Sequence, residues 1–303
     1  MAKTPESSNP LIFDRCLLRV RRRRAAVMEP ATFLVDRAAV EIGERLATVL
    51  RRFELALVLG PSGEGLRAVL DGLGSVGGVV AADSIITDGA ISPFVAADEE
   101  ALPFRDAAFD LVVSALTLQL VNDLPGTLVQ IRRALKPDGL FIAALMGGET
   151  LIELRRAFAA AESDVEGGAS PRVAPFADLR DLGSLLQRAG FALPVTDADR
   201  VTVRYDSVFA LMHDLRRMGW TNVMLDRRRT PLKRATLMRM AEIYARRFSD
   251  DDGRVRATFE TVWLSGWAPH PSQQQPLKPG SAKARLAAAL GAREISTGVK
   301  AGR

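Results

Sequence analysis

Apolar residues return along this chain in two rhythms. Between about 31 and 52, Phe33, Ala38, Ile42 and Leu46 recur at the spacing of one helical face. Residues 55–60 form a short apolar run that reads as a buried strand, and 63–73 read as a helix. "GGVVAADS" (77–84) and "FVAAD" (94–98) read as the next two strands. "FDLVVSALTL" (109–118) is almost wholly apolar, as a strand must be when both its faces are covered. Asp123 is placed to cap a helix with Pro125 in its first turn. Leu124, Leu128, Ile131 and Leu135 give that helix a buried stripe, at steps of four, three and four. "KPDG" (136–139) reads as a turn, and "LFIAALM" (140–146) as another buried strand.

The first half thus alternates strand and helix. That order predicts an α/β fold, a parallel sheet with helices on both faces. Helices are expected near 149–162, near 178–189 closed by Gly190, and over 207–219 and 231–248. A loop covers 166–176, an extended segment 191–205, and a last strand 257–269. Residues 1–10 read as disordered, and the sequence after 270 as a polar tail.

Composition narrows the picture. Among 303 residues, 48% are hydrophobic and 25% charged, enough apolar material for a large core. The one cysteine, Cys16, rules out an internal disulfide framework and a multi-cysteine zinc site, and points to a reducing compartment. No stretch reaches the roughly 18 apolar residues of a spanning helix, and the polar start MAKTPESSNP is no secretory signal. The expected location is cytoplasmic. Net charge is +5, concentrated in "RVRRRRAA" (19–26), "LDRRRTPLKR" (225–234) and the tail. These clusters read as solvated helix surface, with contact to an acidic protein or peripheral attachment to an anionic inner membrane as alternatives. No aromatic residue interleaves the 19–26 cluster, so nucleic acid is not the expected partner.

Candidate chemistry collects where ligands of open parallel sheets bind, beyond the carboxyl ends of the strands. Gly60-Pro61-Ser62-Gly63-Glu64-Gly65 lets the backbone approach a ligand at a helix N-terminus. Asp83 ends the second strand, where a carboxylate can accept from two ribose hydroxyls. Asp98 and Glu99 end the third, where an acid can receive an adenine amino group. Each alone is equally a tight turn or a capping acid; their joint order is more specific. Gln119 and Asn122, after the fourth strand, can orient an amide or guanidinium, or simply close a strand end. His213 and His270 lie in different contexts and form no two-histidine, one-carboxylate iron triad. Trp220, Trp263 and Trp267 read as core packing, as do Met218, Met224, Met238 and Met240. Cys16 reads as an incidental thiol.

Together the glycine loop, Asp83, "DEEALPF" (98–104), "FDLVVS" (109–114) and "LKPDGLF" (135–141) resemble class I S-adenosylmethionine-dependent methyltransferases. The resemblance implies a Rossmann-like seven-stranded sheet with an antiparallel last strand, and S-adenosylmethionine as cofactor. It implies that Gly60, Gly63 and Gly65 border the methionine end, Asp83 the ribose and Asp98 with Glu99 the adenine. The family's usual acid near the end of the first strand is replaced by Val58, which removes a charge-assisted hydrogen bond worth about 1.5–3 kcal/mol.

"FDRCLLRVRRRRAA" (13–26), "LTLQLVNDLPGTL" (116–128), "GGETLIELRRAFAAAE" (147–162), "EGGASPRVAPFADLRDLGSLLQRAGF" (166–191), "LMHDLRRMGWTN" (211–222) and "ATFETVWLSGW" (257–267) give a narrower match. They are similar to the complex I assembly factors of methyltransferase fold from mitochondria and alphaproteobacteria. That likeness implies modification, described there as hydroxylation, of an arginine on a complex I subunit. Hydroxylation needs an oxidant, which these residues do not reveal. A more distant resemblance is to carrier-protein malonyl O-methyltransferases, and a non-catalytic assembly chaperone is a third alternative. The expected organisation is a basic N-terminal segment (1–30), a methyltransferase-fold domain (31–267) with a helical insertion at about 206–250, and a polar tail (268–303).

Overall fold

A computed structural model describes residues 11–60, 64–85, 93–274 and 291. The expected disorder of 1–10, the loop residues Pro61, Ser62 and Gly63, the Glu64 side chain and most of the polar tail lie outside the described residues. In chain order the elements are α1 (Arg15–Ala26), α2 (Phe33–Ala47), β1 (Phe53–Leu59), α3 (Glu64–Gly72), β2 (Val76–Asp83), β3 (Phe94–Ala96), β4 (Phe109–Ala115), α4 (Leu124–Ala134), β5 (Leu135–Met146), α5 (Ile152–Glu166), α6 (Leu179–Arg188), β6 (Ala192–Tyr205), α7 (Val208–Arg217), α8 (Arg234–Phe248) and β7 (Val255–Trp267). A 3-10 turn, Leu118–Leu120, follows β4.

The seven strands lie in the order β3-β2-β1-β4-β5-β7-β6. β1 to β5 pair in parallel, and β7 runs antiparallel to both β5 and β6. Strand order reverses between β1 and β4, so the crevice for a ligand opens at their carboxyl ends. Alternate residues of each central strand enter opposite cores. Val58, Leu111, Val113, Ile142 and Ala144 join Ile42 of α2, Ala157 of α5 and Ile243 of α8 on one face. Leu57, Leu59, Val112, Phe141 and Ala143 join Leu128 and Ile131 of α4 and Leu182 and Leu186 of α6 on the other. This is why β4 carries no polar alternation. Met240 and Met224 are buried as expected, whereas Met238 of α8 stands exposed.

Two local expectations are corrected. "KPDG" does not interrupt the chain as a separate turn: it lies within β5, where the register shifts between Phe109↔Leu135 and Leu111↔Leu140. Asp138 takes φ 64° there, and its N–H donates to the Ala268 carbonyl at 3.0 Å, so tertiary pairing absorbs the turn. The helix expected from 149 begins later, at Ile152. Gly147 N–H donates to the Glu260 carbonyl and Leu151 N–H to that of Thr258, which ties the segment to β7 before it can coil.

Candidate functional site

The glycine corner is partly visible. Gly60 has φ +93°, and a Cβ there would strike the Thr117 side chain, so β1 can end in this turn only with glycine. Its N–H donates to the Ala82 carbonyl at 2.8 Å, holding the corner against β2. Gly65 sits in the first turn of α3, and a Cβ there would lie 3.0 Å from Asp36 Oδ1, which places it against α2. Val58 is buried between Ala81 and Val113 in the sheet.

The acids at the strand ends converge. Asp83 is only 4% exposed; its Oδ1 accepts from Ile85 N–H at 3.2 Å and its Oδ2 from Arg22. Asp98 Oδ1 accepts from Glu100 N–H and from Arg15, both at 2.9 Å, while Oδ2 accepts from Arg19. Glu99 is buried and pairs with Arg15 and, at 3.5 Å, with Arg22. Burial pushes the Asp83 carboxyl above the usual range against the pull of Arg22. Burial works on Asp98 in the same sense, but Glu100 N–H, Arg15 and Arg19 outweigh it and hold that carboxyl low.

The arginine run is therefore not merely solvated surface. Arg15, Arg19 and Arg22 stand at i, i+4 and i+7 on one face of α1 and reach down onto the three acids. Buried charges need partners, and here each cluster supplies the other's. The helix is fixed at its start: Asp14 caps it by accepting from Leu17 N–H at 2.9 Å and pairs with Arg227 at 3.2 Å. Phe13 and Leu18 pack on Val223 and Met224. The Asn122 side chain is committed within the chain. Its Oδ1 accepts from Ile12 and Phe13 N–H at 2.8 and 2.7 Å, and its Nδ2 donates to the Phe13 carbonyl at 3.1 Å, so it anchors the approach to α1. The second basic cluster is also internally tied, Arg227 to Asp14 and Arg228 to Glu166.

With α1 in place, the cavity bordered by Arg15, Arg22, Glu99, Thr117 and Trp220 is only about 40 Å³. The donor set suits a nucleoside: carboxylates for hydroxyl and amino donors, and a glycine corner for close backbone approach. A nucleoside reaching these acids has to displace the Arg15 and Arg22 side chains that hold them.

A larger pocket of about 550 Å³ adjoins it, sharing Leu120 and Trp220. Met146, Phe158, Phe176 and Met212 supply an apolar lining, and Arg21, Arg24, Arg172 and Arg216 the charge. Gln119 lines it too: Nε2 donates to the Leu116 carbonyl at 2.7 Å, while the buried Oε1 has no partner. Leu116 and Leu151, at the edges of this region, have φ 53° and 55°. Non-glycine residues adopt that conformation rarely, and it clusters at functional sites. Trp220, expected as core, lines both cavities; Trp263 is buried and donates to Asp199 at 3.1 Å. Cys16 is exposed, as are His213 and His270. Among the described residues, no group of histidine, cysteine or carboxylate side chains could hold a metal.

The acids were legible as acids at strand ends. The clamping arginines and the pocket's cationic wall were not: the i, i+4, i+7 spacing of Arg15, Arg19 and Arg22 puts them on one face but does not say what that face covers.

Comparison with known proteins supports the fold and gives the family. A family model described as a methyltransferase domain matches residues 79–143, from β2 into β5. The Homo sapiens protein "Arginine-hydroxylase NDUFAF5, mitochondrial" is 42% identical over 283 residues, covering 89% of this chain and 81% of that protein. The Xylella fastidiosa malonyl-[acyl-carrier protein] O-methyltransferase is 38% identical over 172 residues, 57% of this chain and 56% of the relative. A solved Bacillus halodurans structure, designated a candidate methyltransferase, superposes with TM-score 0.52 at 16% identity, covering 77% of this chain and all of that one, which supports the fold.

Proposed function

This chain belongs to the family of the mitochondrial arginine-hydroxylase NDUFAF5, of methyltransferase fold, and from that premise we propose that it binds S-adenosylmethionine and modifies a protein arginine during assembly of respiratory complex I. One observation carries the reading: Asp83, Asp98 and Glu99 gather at the carboxyl ends of the strands, beside a pocket large enough for a piece of another protein. Asp83 would hold the ribose and Asp98 with Glu99 the adenine, with Gly60 at the sulfur-bearing end. When bound, the cofactor supplies a sulfonium-activated methyl group. This chain's residues supply the binding, the orientation and the exclusion of water. Among the described residues no helix is long and apolar enough to cross a membrane. The protein is proposed to act from the cytoplasmic side, meeting the inner membrane peripherally where its substrate lies. The test is mass spectrometry of the complex I subunits from a deletion strain: loss of an arginine modification supports the reading, and an unchanged set of arginines removes it.

A second reading, O-methylation of a carboxylate on a carrier-bound acyl group, is favoured by the arginines that line the pocket with no acid beside them among the described residues. Its test is methyl ester formation on a malonyl carrier protein by the purified chain.

A further inference from the structure

We infer that the pocket bounded by α1, α5, α7 and the segment before α6 recognises a protein segment in which an arginine is flanked by carboxylates. The inference deepens the arginine reading above and rests on it. Its observations are the size, charge and one orphaned atom of the pocket. At about 550 Å³ the space falls within the range of small-ligand sites and exceeds what one side chain fills. Neighbours of the reacting residue must therefore enter with it.

Charge decides what those neighbours are. Arg21, Arg24, Arg172 and Arg216 line the wall, and among the described residues no aspartate or glutamate does. Arg172 is already neutralised: its Nε donates to Glu162 at 2.7 Å, with its guanidinium 5.6 Å from the centre of the Phe158 ring. Arg21, Arg24 and Arg216 make no ion pair among the described residues. Arg21 donates instead to the Asn222 carbonyl, and burial with the nearby Arg227 and Arg24 disfavours its charge. A lone guanidinium entering such a wall meets like charge, whereas carboxylates on either side of it meet partners.

The inner end asks for the opposite chemistry. Gln119 is 9% exposed; its Nε2 is committed to the Leu116 carbonyl, and its Oε1 is a buried acceptor without a donor. A buried acceptor left unmatched is costly, and an incoming N–H removes that cost. A guanidinium carries such N–H groups in a fixed fork, and Trp220, which lines both cavities, is an aromatic neighbour for it. The pocket thus presents an acceptor within and cations outside, the complement of an arginine with acidic flanks.

Calorimetry on the full chain at low ionic strength tests this with short peptides centred on arginine and flanked by glutamate, by serine or by lysine. The glutamate-flanked peptide is expected to bind at least about tenfold more tightly than the serine-flanked one, with the lysine-flanked one weakest. Substituting the exposed pair, Arg24→Glu with Arg216→Glu, is expected to abolish or reverse that order without unfolding the protein. Equal affinities, a preference for serine or lysine flanks, or no binding by any peptide overturns the inference. A glutamate-flanked peptide whose central arginine is replaced by glutamine separates the two levels. If it binds as tightly as its parent, the acidic preference stands and the arginine reading fails.

Discussion

Glu166 shows how single residues hold the architecture behind the site. It ends α5, where a carboxylate faces the unfavourable end of the helix dipole. Thr236 Oγ1 donates to it at 2.6 Å, and Arg228 and Lys233 pair with it, Lys233 at 3.3 Å, which brings its pKa from 4.5 to about 2. A carboxyl depressed on folding stabilises the fold above its unfolded value and loses that contribution as pH falls through the folded one. The tie should therefore be fully present above about pH 4.5 and lost progressively toward 2. Urea unfolding of Glu166→Gln should show a deficit at pH 6 that shrinks as the solution is acidified through that window; a deficit independent of pH would contradict it. Gly60 is a second such residue. At φ +93°, with Thr117 against the Cβ direction, Gly60→Ala should lower stability by roughly 1–3 kcal/mol, measured as a reduced urea midpoint. An unchanged midpoint would mean that the corner relaxes.

Among the elements, α1 covers the acids. Its three arginines and the acids beneath them form a compensated, partly buried cluster, and breaking one side of such a cluster costs about 3–5 kcal/mol. Any ligand taking Asp83 and Asp98 must displace these pairs. Converting Arg15 and Arg22 to glutamine should therefore raise the affinity for S-adenosylmethionine by about tenfold or more, given a charge-assisted hydrogen bond of about 1.5–3 kcal/mol. Weaker binding by that variant would show that the arginines hold the cofactor rather than exclude it. The strands and helices were readable because each is decided by its own periodicity. β4 is apolar throughout because both cores claim it, and α4 carries its cap at Asp123 and buries Leu128 and Ile131 of its expected stripe, while Leu124 is half-buried and Leu135 opens β5. What α1 covers was not readable, because a run of arginines has the same local signature on a solvated helix as on an acidic cleft. The "KPDG" stretch misled for a related reason: its turn chemistry is local, whereas its place in β5 depends on Ala268, far along the chain.

Across the whole molecule, the order of the strands puts the reversal point between β1 and β4, and the acids, Gly60 and Gln119 all fall at that edge. Sequence sufficed to place Asp83, Asp98 and Glu99 there, because strand ends follow from strands. It did not reveal that Asn122 serves as an anchor, since its partners Ile12 and Phe13 lie over a hundred residues away. The central claim is that these acids form a nucleoside site that α1 closes from within the same chain. The most direct test is calorimetric titration of S-adenosylmethionine into the full chain, its Arg15→Gln/Arg22→Gln variant and its Asp83→Asn variant. Saturable binding to the unaltered chain is expected, with tighter binding once the arginines are neutral and binding weakened or lost without the Asp83 charge. No saturable heat with any of the three, or one affinity common to all, would contradict it.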